Sequence, residues 1–142
     1  MRHNEELLVT TTVVTNQETS ITLPKRYAWS PETPELYDVT VNMGEDCVSS
    51  YFSLRKISVV RDVQGTLRFA LNGRPYFMNG VLDQGYWPDT LLTPPNEEAL
   101  KRDILTMKQV GFNTLRKHVK VETESFYAMC DLYGMLVWSG HA

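Results

Sequence analysis

Between residues 77 and 138 an apolar strand pattern, a helix pattern and a strand pattern follow one another and then repeat, with short connections throughout. A strand that returns through a helix lies parallel to its predecessor, so this stretch predicts a βαβαβ unit. Its first strand covers residues 77–82, with Gly80 inside an otherwise apolar run. The first helix covers about 96–110: Pro94, Pro95 and Asn96 open it, Glu97 and Glu98 complement the positive end of its dipole, and Gly111 stops it. Leu100, Ile104, Met107 and Val110 form its apolar stripe, leaving Lys101, Arg102 and Lys108 to water. A second strand over 114–119 leads to a helix that Thr123 can cap and Gly134 can stop. Phe126, Met129, Cys130 and Tyr133 share one face of that helix, and 135–138 begins a third strand. In parallel α/β architectures ligands sit at the carboxyl ends of the strands, here after residues 82 and 118.

The first sixty residues follow a different rule. Residues 7–14, 20–23 and 36–42 alternate between apolar and polar, interrupted by Pro24 and by Trp29-Ser30-Pro31-Glu32-Thr33-Pro34. Residues 49–60 alternate too, but Ile57 and Val59 shift the apolar phase by one, which predicts a β-bulge near Arg55 or Lys56. A polar joint over 61–65 precedes a hairpin over 66–78 that turns at Asn72-Gly73. The expected architecture is a partial β-sandwich of immunoglobulin type over residues 1–61, followed over 62–142 by α/β structure. With 42% apolar residues the chain can bury a core. Three parallel strands alone leave an apolar edge and an uncovered face, so further strands and helices are expected beyond Ala142.

Composition excludes several functions. The formal charge is −3, from 14 basic and 17 acidic side chains, with no coherent basic run, which argues against a nucleic-acid partner. The N-terminal residues carry no long apolar run, which argues against a membrane anchor or a signal peptide; the compartment is left open, with the cytoplasm slightly favoured. Cys47 and Cys130 fall in different structural segments and have no metal-type spacing. No Ser/His/Asp set, phosphate loop or HExxH is present, and no cofactor or metal is expected.

Alternation over 114–119 places Thr114, Arg116 and His118 on one face and Leu115, Lys117 and Val119 on the other. Arg116 and His118 then point together into the carboxyl-end mouth, either as the solvated ends of an edge strand or as a binding pair, because an arginine inside a parallel sheet needs an anion or a hydroxyl-rich ligand. Asp83, Gln84, Tyr86 and Trp87 follow the first strand at the same end. Aromatic rings beside amide and carboxylate groups suit a sugar surface, though a Tyr-Trp pair also serves loop packing, and Asp83 suits either ligand binding or loop capping. Trp29 is expected as a packing anchor between sandwich strands, Cys130 as core, and His3 and His141 as terminal residues without metal-spaced partners.

Four segments, taken in order, resemble glycoside hydrolase family 2, the family of β-galactosidases and β-glucuronidases. They are Trp29-Ser30-Pro31-Glu32-Thr33-Pro34-Glu35-Leu36-Tyr37, Tyr51-Phe52-Ser53-Leu54-Arg55-Lys56-Ile57, Leu71-Asn72-Gly73-Arg74-Pro75 and Gly111-Phe112-Asn113-Thr114-Leu115-Arg116-Lys117-His118. The run from Phe126 through Trp138 fits the same family. The resemblance implies the end of an immunoglobulin-like domain and the opening βαβαβ units of a (β/α)8 TIM barrel. Members are retaining glycosidases that use two glutamates roughly 5 Å apart. Both lie on later barrel strands, so none of the catalytic glutamates is expected in this chain. The resemblance carries Arg116 over as a pocket-shaping arginine, with His118, Asp83, Gln84 and Trp87 as further substrate-binding candidates. Only Lys117 separates Arg116 from His118 where many members have two residues, and the loop from Asp83 to Pro88 replaces a histidine-rich loop, so the sugar is left open. The expected function is one wall of the sugar pocket of a β-glycoside hydrolase, inactive alone, with a carbohydrate as partner; homo-oligomerisation of the parent enzyme is left open. The alternative is a non-catalytic carbohydrate-binding or structural module.

Overall fold

The computed structural model describes residues 1–140; His141 therefore lies outside the described residues. The first sheet is antiparallel and contains β1 (Arg2–His3), β2 (Glu6–Leu7), β3 (Tyr37–Met43) and β4 (Asp46–Phe52), in the order β2-β1-β3-β4. The turn between β3 and β4 uses Gly44 at φ 60°. Tyr37 is the buried end of β3: its ring stacks on Phe52 at 4.8 Å and its hydroxyl accepts from the Tyr27 N–H at 2.6 Å. His3 is buried beside it, stacked on Tyr27 at 3.8 Å and donating from Nε2 to Glu35 Oε2 at 2.6 Å. The strands expected over 7–14 and 20–23 are not formed beyond β2. Val13 and Val14 are exposed there, and β-branched side chains favour a strand only where a paired, half-buried surface receives them.

The expected bulge is also corrected. Residues 49–60 are not one strand: β4 ends at Phe52, and β5 (Ile57–Arg61) pairs with β6 (Leu67–Leu71), which pairs in turn with β7 (Arg74–Pro75), giving a second antiparallel sheet ordered β5-β6-β7. The apolar phase shifts because the chain changes sheets, with Leu54 bridging to Ala28 on the way. The segment over 61–65 is the turn of the β5–β6 hairpin. Asp62 Oδ1 accepts from the N–H groups of Gln64 and Thr66, and Gly65 takes φ 81°. Asn72 and Gly73 both take positive φ, 53° and 80°, as a type I′ turn requires.

The third sheet is parallel and contains β8 (Gly80–Asp83), β9 (Thr114–His118) and β10 (Leu136–Gly140), with β9 in the centre. Two helices connect them, α1 (Glu97–Gln109) and α2 (Glu124–Tyr133). Asn96 caps α1 by accepting from the Ala99 N–H at 2.8 Å; Thr123 occupies the N-cap of α2 but spends its hydroxyl on Ser125. Gly80 permits close approach, since a Cβ there would lie 3.2 Å from that of Thr114. The core lies between this sheet and its helices: Leu100, Ile104, Leu115, Phe126, Cys130 and Met135 are buried together. Burial pushes the Cys130 thiol far above its ordinary range, as befits a core cysteine. Among the described residues no helix is long and apolar enough to cross a membrane.

Trp29 holds the two halves together instead of bridging sandwich strands. It is fully buried, its Nε1 donates to the Asp131 carbonyl of α2 at 2.7 Å, and the Arg55 guanidinium lies 4.6 Å over its ring. Arg55 and Tyr51 both bond the Asp131 carboxylate. Lys108, expected to face water, donates to the carbonyls of Pro31 and Tyr133 and so clamps the proline segment onto the end of α2.

Candidate functional site

In a parallel sheet residues in register share a face. Leu82, Arg116 and Trp138 form one row, while Asp83, Lys117 and Ser139 form the next. Leu115 is buried against the helices, and Lys117 follows it on that side; Arg116 is on the opposite, open face with Leu82 and Trp138. His118 lies one pair of residues further along that face, opposite Gly140. Gln84 meets it there, with its amide nitrogen 3.4 Å from His118 Nδ1. The carboxyl end of the open face therefore gathers Arg116, His118 and Gln84, three of the five residues singled out from sequence. Among the described residues Arg116 forms no ion pair. Sequence reading passed over Trp138, half exposed in register with Arg116 and edge-on to Phe69 at 5.7 Å. Alternation through Leu136, Val137 and Trp138 is the signal that places its ring on this face.

Asp83 and Trp87 go elsewhere. Asp83 faces the helices, accepting from Lys117 Nζ at 2.9 Å and from the Gly85 N–H at 2.7 Å. This is the loop-capping alternative, and Lys117 occupies its second oxygen. Trp87 packs against the helix core, and its backbone exchanges hydrogen bonds with Leu91 at 2.7 and 3.0 Å, closing a tight turn with Leu91 at φ 61°. Tyr86 remains exposed. Among the described residues no group of three His, Cys, Asp or Glu side chains can hold a metal ion.

Asp103, on α1, borders the same charged group. Burial, and then the neighbouring Asp83 carboxylate, push its carboxyl above the ordinary 3.8. A carboxyl raised in the folded state binds more protons folded than unfolded, so stability falls as pH rises from 3.8 through the raised value. Asp103→Asn removes that fall. The expected result at pH 7, where solvent screening keeps the effect small, is a rise in Tm of roughly 1–3 °C that vanishes at about pH 3. Calorimetry at both pH values checks it; an equal shift at the two would refute the charge argument.

An antiparallel β region feeding a parallel βαβαβ unit, with a cationic and aromatic wall at its carboxyl end, places the chain among those that join a β domain to an α/β domain. Residues 2–55 match the model of glycosyl hydrolases family 2, and residues 62–140 match that family's TIM barrel domain. The chain belongs to glycosyl hydrolases family 2. A β-galactosidase of Photobacterium profundum is 35% identical over 115 residues, covering 77% of this chain and 11% of that protein. Among solved structures, a β-glucuronidase of Bacteroides uniformis superposes with TM-score 0.70 at 29% identity over 84% of this chain and 14% of the other. A β-galacturonidase of Eisenbergiella tayi superposes with TM-score 0.72 at 27% identity, over 86% and 21%. The chain thus spans about a tenth of the length of the curated relatives it matches.

Proposed function

We propose that this chain is the end of an immunoglobulin-like β-sandwich and the first part of the barrel of a retaining β-glycoside hydrolase, and that it supplies one wall of the sugar pocket. The supporting observation is the convergence of Arg116, His118 and Gln84 on the open face at the carboxyl ends of β8 and β9. A guanidinium and an amide read hydroxyls through fixed donors, and the half-exposed Trp138 ring offers a face for sugar C–H groups. Asp83 and Trp87 support the mouth from behind. The acid/base and nucleophile glutamates belong to later barrel strands, so the 142-residue chain does not hydrolyse glycosides by itself.

The test compares the chain alone with the polypeptide that also carries the rest of the barrel, on nitrophenyl β-galactoside, β-glucuronide and β-galacturonide. The expected result is no turnover by the chain alone, retention of anomeric configuration by the larger protein, and a loss in kcat/KM of about tenfold for Arg116→Ala, the equivalent of one lost polar contact. Turnover by the chain alone, inversion, or an unaffected Arg116→Ala variant would sink the reading. Saturable sugar binding without turnover in the larger protein would instead identify a carbohydrate-binding module.

A further inference from the structure

Lys117 is the anomaly of the third sheet. It sits on the central strand, on the face that carries Leu115, with 1% of its surface exposed. Taking an ammonium out of water is costly, and a well-packed apolar residue commonly replaces a buried ion pair without loss of stability. What such a group contributes is a fixed geometry. Its Nζ lies 2.9 Å from Asp83 Oδ2, 2.6 Å from Glu122 Oε1 and 4.7 Å over the Phe126 ring. Glu122 is almost as buried, and its Oε1 also receives Lys120 Nζ at 2.9 Å. Lys120 in turn donates to the carbonyls of Gly85, at 3.1 Å, and Leu92. Two lysines and two carboxylates therefore tie down both ends of the loop over residues 83–92.

The backbone of Gly85 rests directly on this group. It takes φ 67°, and a Cβ there would fall on the Glu122 carboxylate and lie 2.7 Å and 2.9 Å from the two ammonium nitrogens. Gln84 is held between Asp83, bonded to Lys117, and Gly85, bonded to Asp83 and Lys120; its side chain is left to cross to the open face, where it meets His118. Val119, between the two lysines, holds φ 47°, a conformation that a β-branched residue keeps only when its surroundings over-determine it.

We infer that Lys117, acting with Glu122 and Lys120 from behind the sheet, is a positioning residue for the mouth: it fixes the loop over 83–92 so that Gln84 stays against His118. The inference rests on the sugar-pocket reading for its purpose but not for its geometry. It assigns Lys117 no contact with substrate.

Three measurements on the full polypeptide test it. Amide hydrogen exchange of residues 84–92 is expected to quicken by about tenfold in Lys117→Met while α1 is unchanged. The 15N shift of His118 Nδ1 is expected to move alike in Lys117→Met and Gln84→Ala, with no further movement in the double variant, since both remove one contact. KM for the glycoside that is cleaved is expected to rise about tenfold in each single variant and no further in the double, with kcat changed less than about threefold. Unchanged loop exchange, or effects of Lys117→Met and Gln84→Ala that add in the double variant, overturns the inference. Where Lys117→Met does not fold, Lys120→Met takes its place under the same criteria. A wild-type protein that cleaves no glycoside defeats the functional reading alone, because exchange and the His118 signal still decide the positioning.

Discussion

Trp29→Ala is expected to destabilise the protein by about 3–5 kcal/mol, the range for deleting a large, fully buried aromatic side chain. The indole is completely enclosed where the first sheet meets α2, so its removal leaves a cavity that neither half can close without moving relative to the other. Its loss also orphans the groups around it. The Asp131 carbonyl loses its 2.7 Å donor, and the Arg55 guanidinium loses the ring beneath it while still paired to the Asp131 carboxylate. Trp29→Phe separates the two contributions: it keeps most of the apolar contact, lacks the N–H donor, and should cost about 1–2 kcal/mol from a lost hydrogen bond and a smaller ring. Urea denaturation followed by circular dichroism checks both. A loss below about 1 kcal/mol for Trp29→Ala would mean that the docking contact adds little to stability.

This junction was the least legible part of the chain, for a physical reason. Trp29 and Asp131 are 102 residues apart, and no periodicity in either segment names the other. Proline spacing showed that residues 29–34 are not a strand, but it carried no sign that Pro31 would receive Lys108. The phase shift at Ile57 was visible and its cause was not, because a bulge and a change of sheet both displace alternation by one. Residues 7–14 erred in the other direction: β-branched side chains show readiness to pair without supplying the partner.

Where local signals agreed, the sequence sufficed. Asn96, Gly111 and Gly134 set the helix ends, Asn72-Gly73 set the hairpin turn, and the period of two on β9 sorted Arg116 and His118 from Leu115 and Lys117. The same period, carried back along β8, puts Asp83 on the side of Val81, facing the helices. Read as loop composition, Asp83 suits a sugar ligand; read by phase, it pairs with a lysine on the covered face of the next strand. A lysine at an apolar phase position, with one carboxylate in register on the neighbouring strand and another just past the end of its own, is the pattern that marks such a staple.

Gly134→Ala is expected to cost about 3 kcal/mol, much more than helix-end chemistry alone would give. Gly134 ends α2 at φ 74°, where any L side chain pays a left-handed penalty of about 1–2 kcal/mol. Its special burden is steric. A Cβ there would fall on the carbonyl oxygen of Pro31 and lie 2.7 Å from Lys108 Nζ, and backbone cannot rotate out of the way as a side chain can. Pro31 must withdraw, which breaks its bond from Lys108 and pulls on Trp29 two residues upstream. Gly111 is the internal control, since it follows α1 at φ 96° and a Cβ added there would meet nothing within 4 Å. Gly111→Ala should therefore show only the left-handed penalty, about 1–2 kcal/mol, and equal losses at the two glycines would remove the steric argument. Because Gly134 and Trp29 act on one junction, the double variant Trp29→Ala/Gly134→Ala should lose less than the sum of its parts by about 1 kcal/mol or more. Full additivity would mean that the two residues stabilise separate structures.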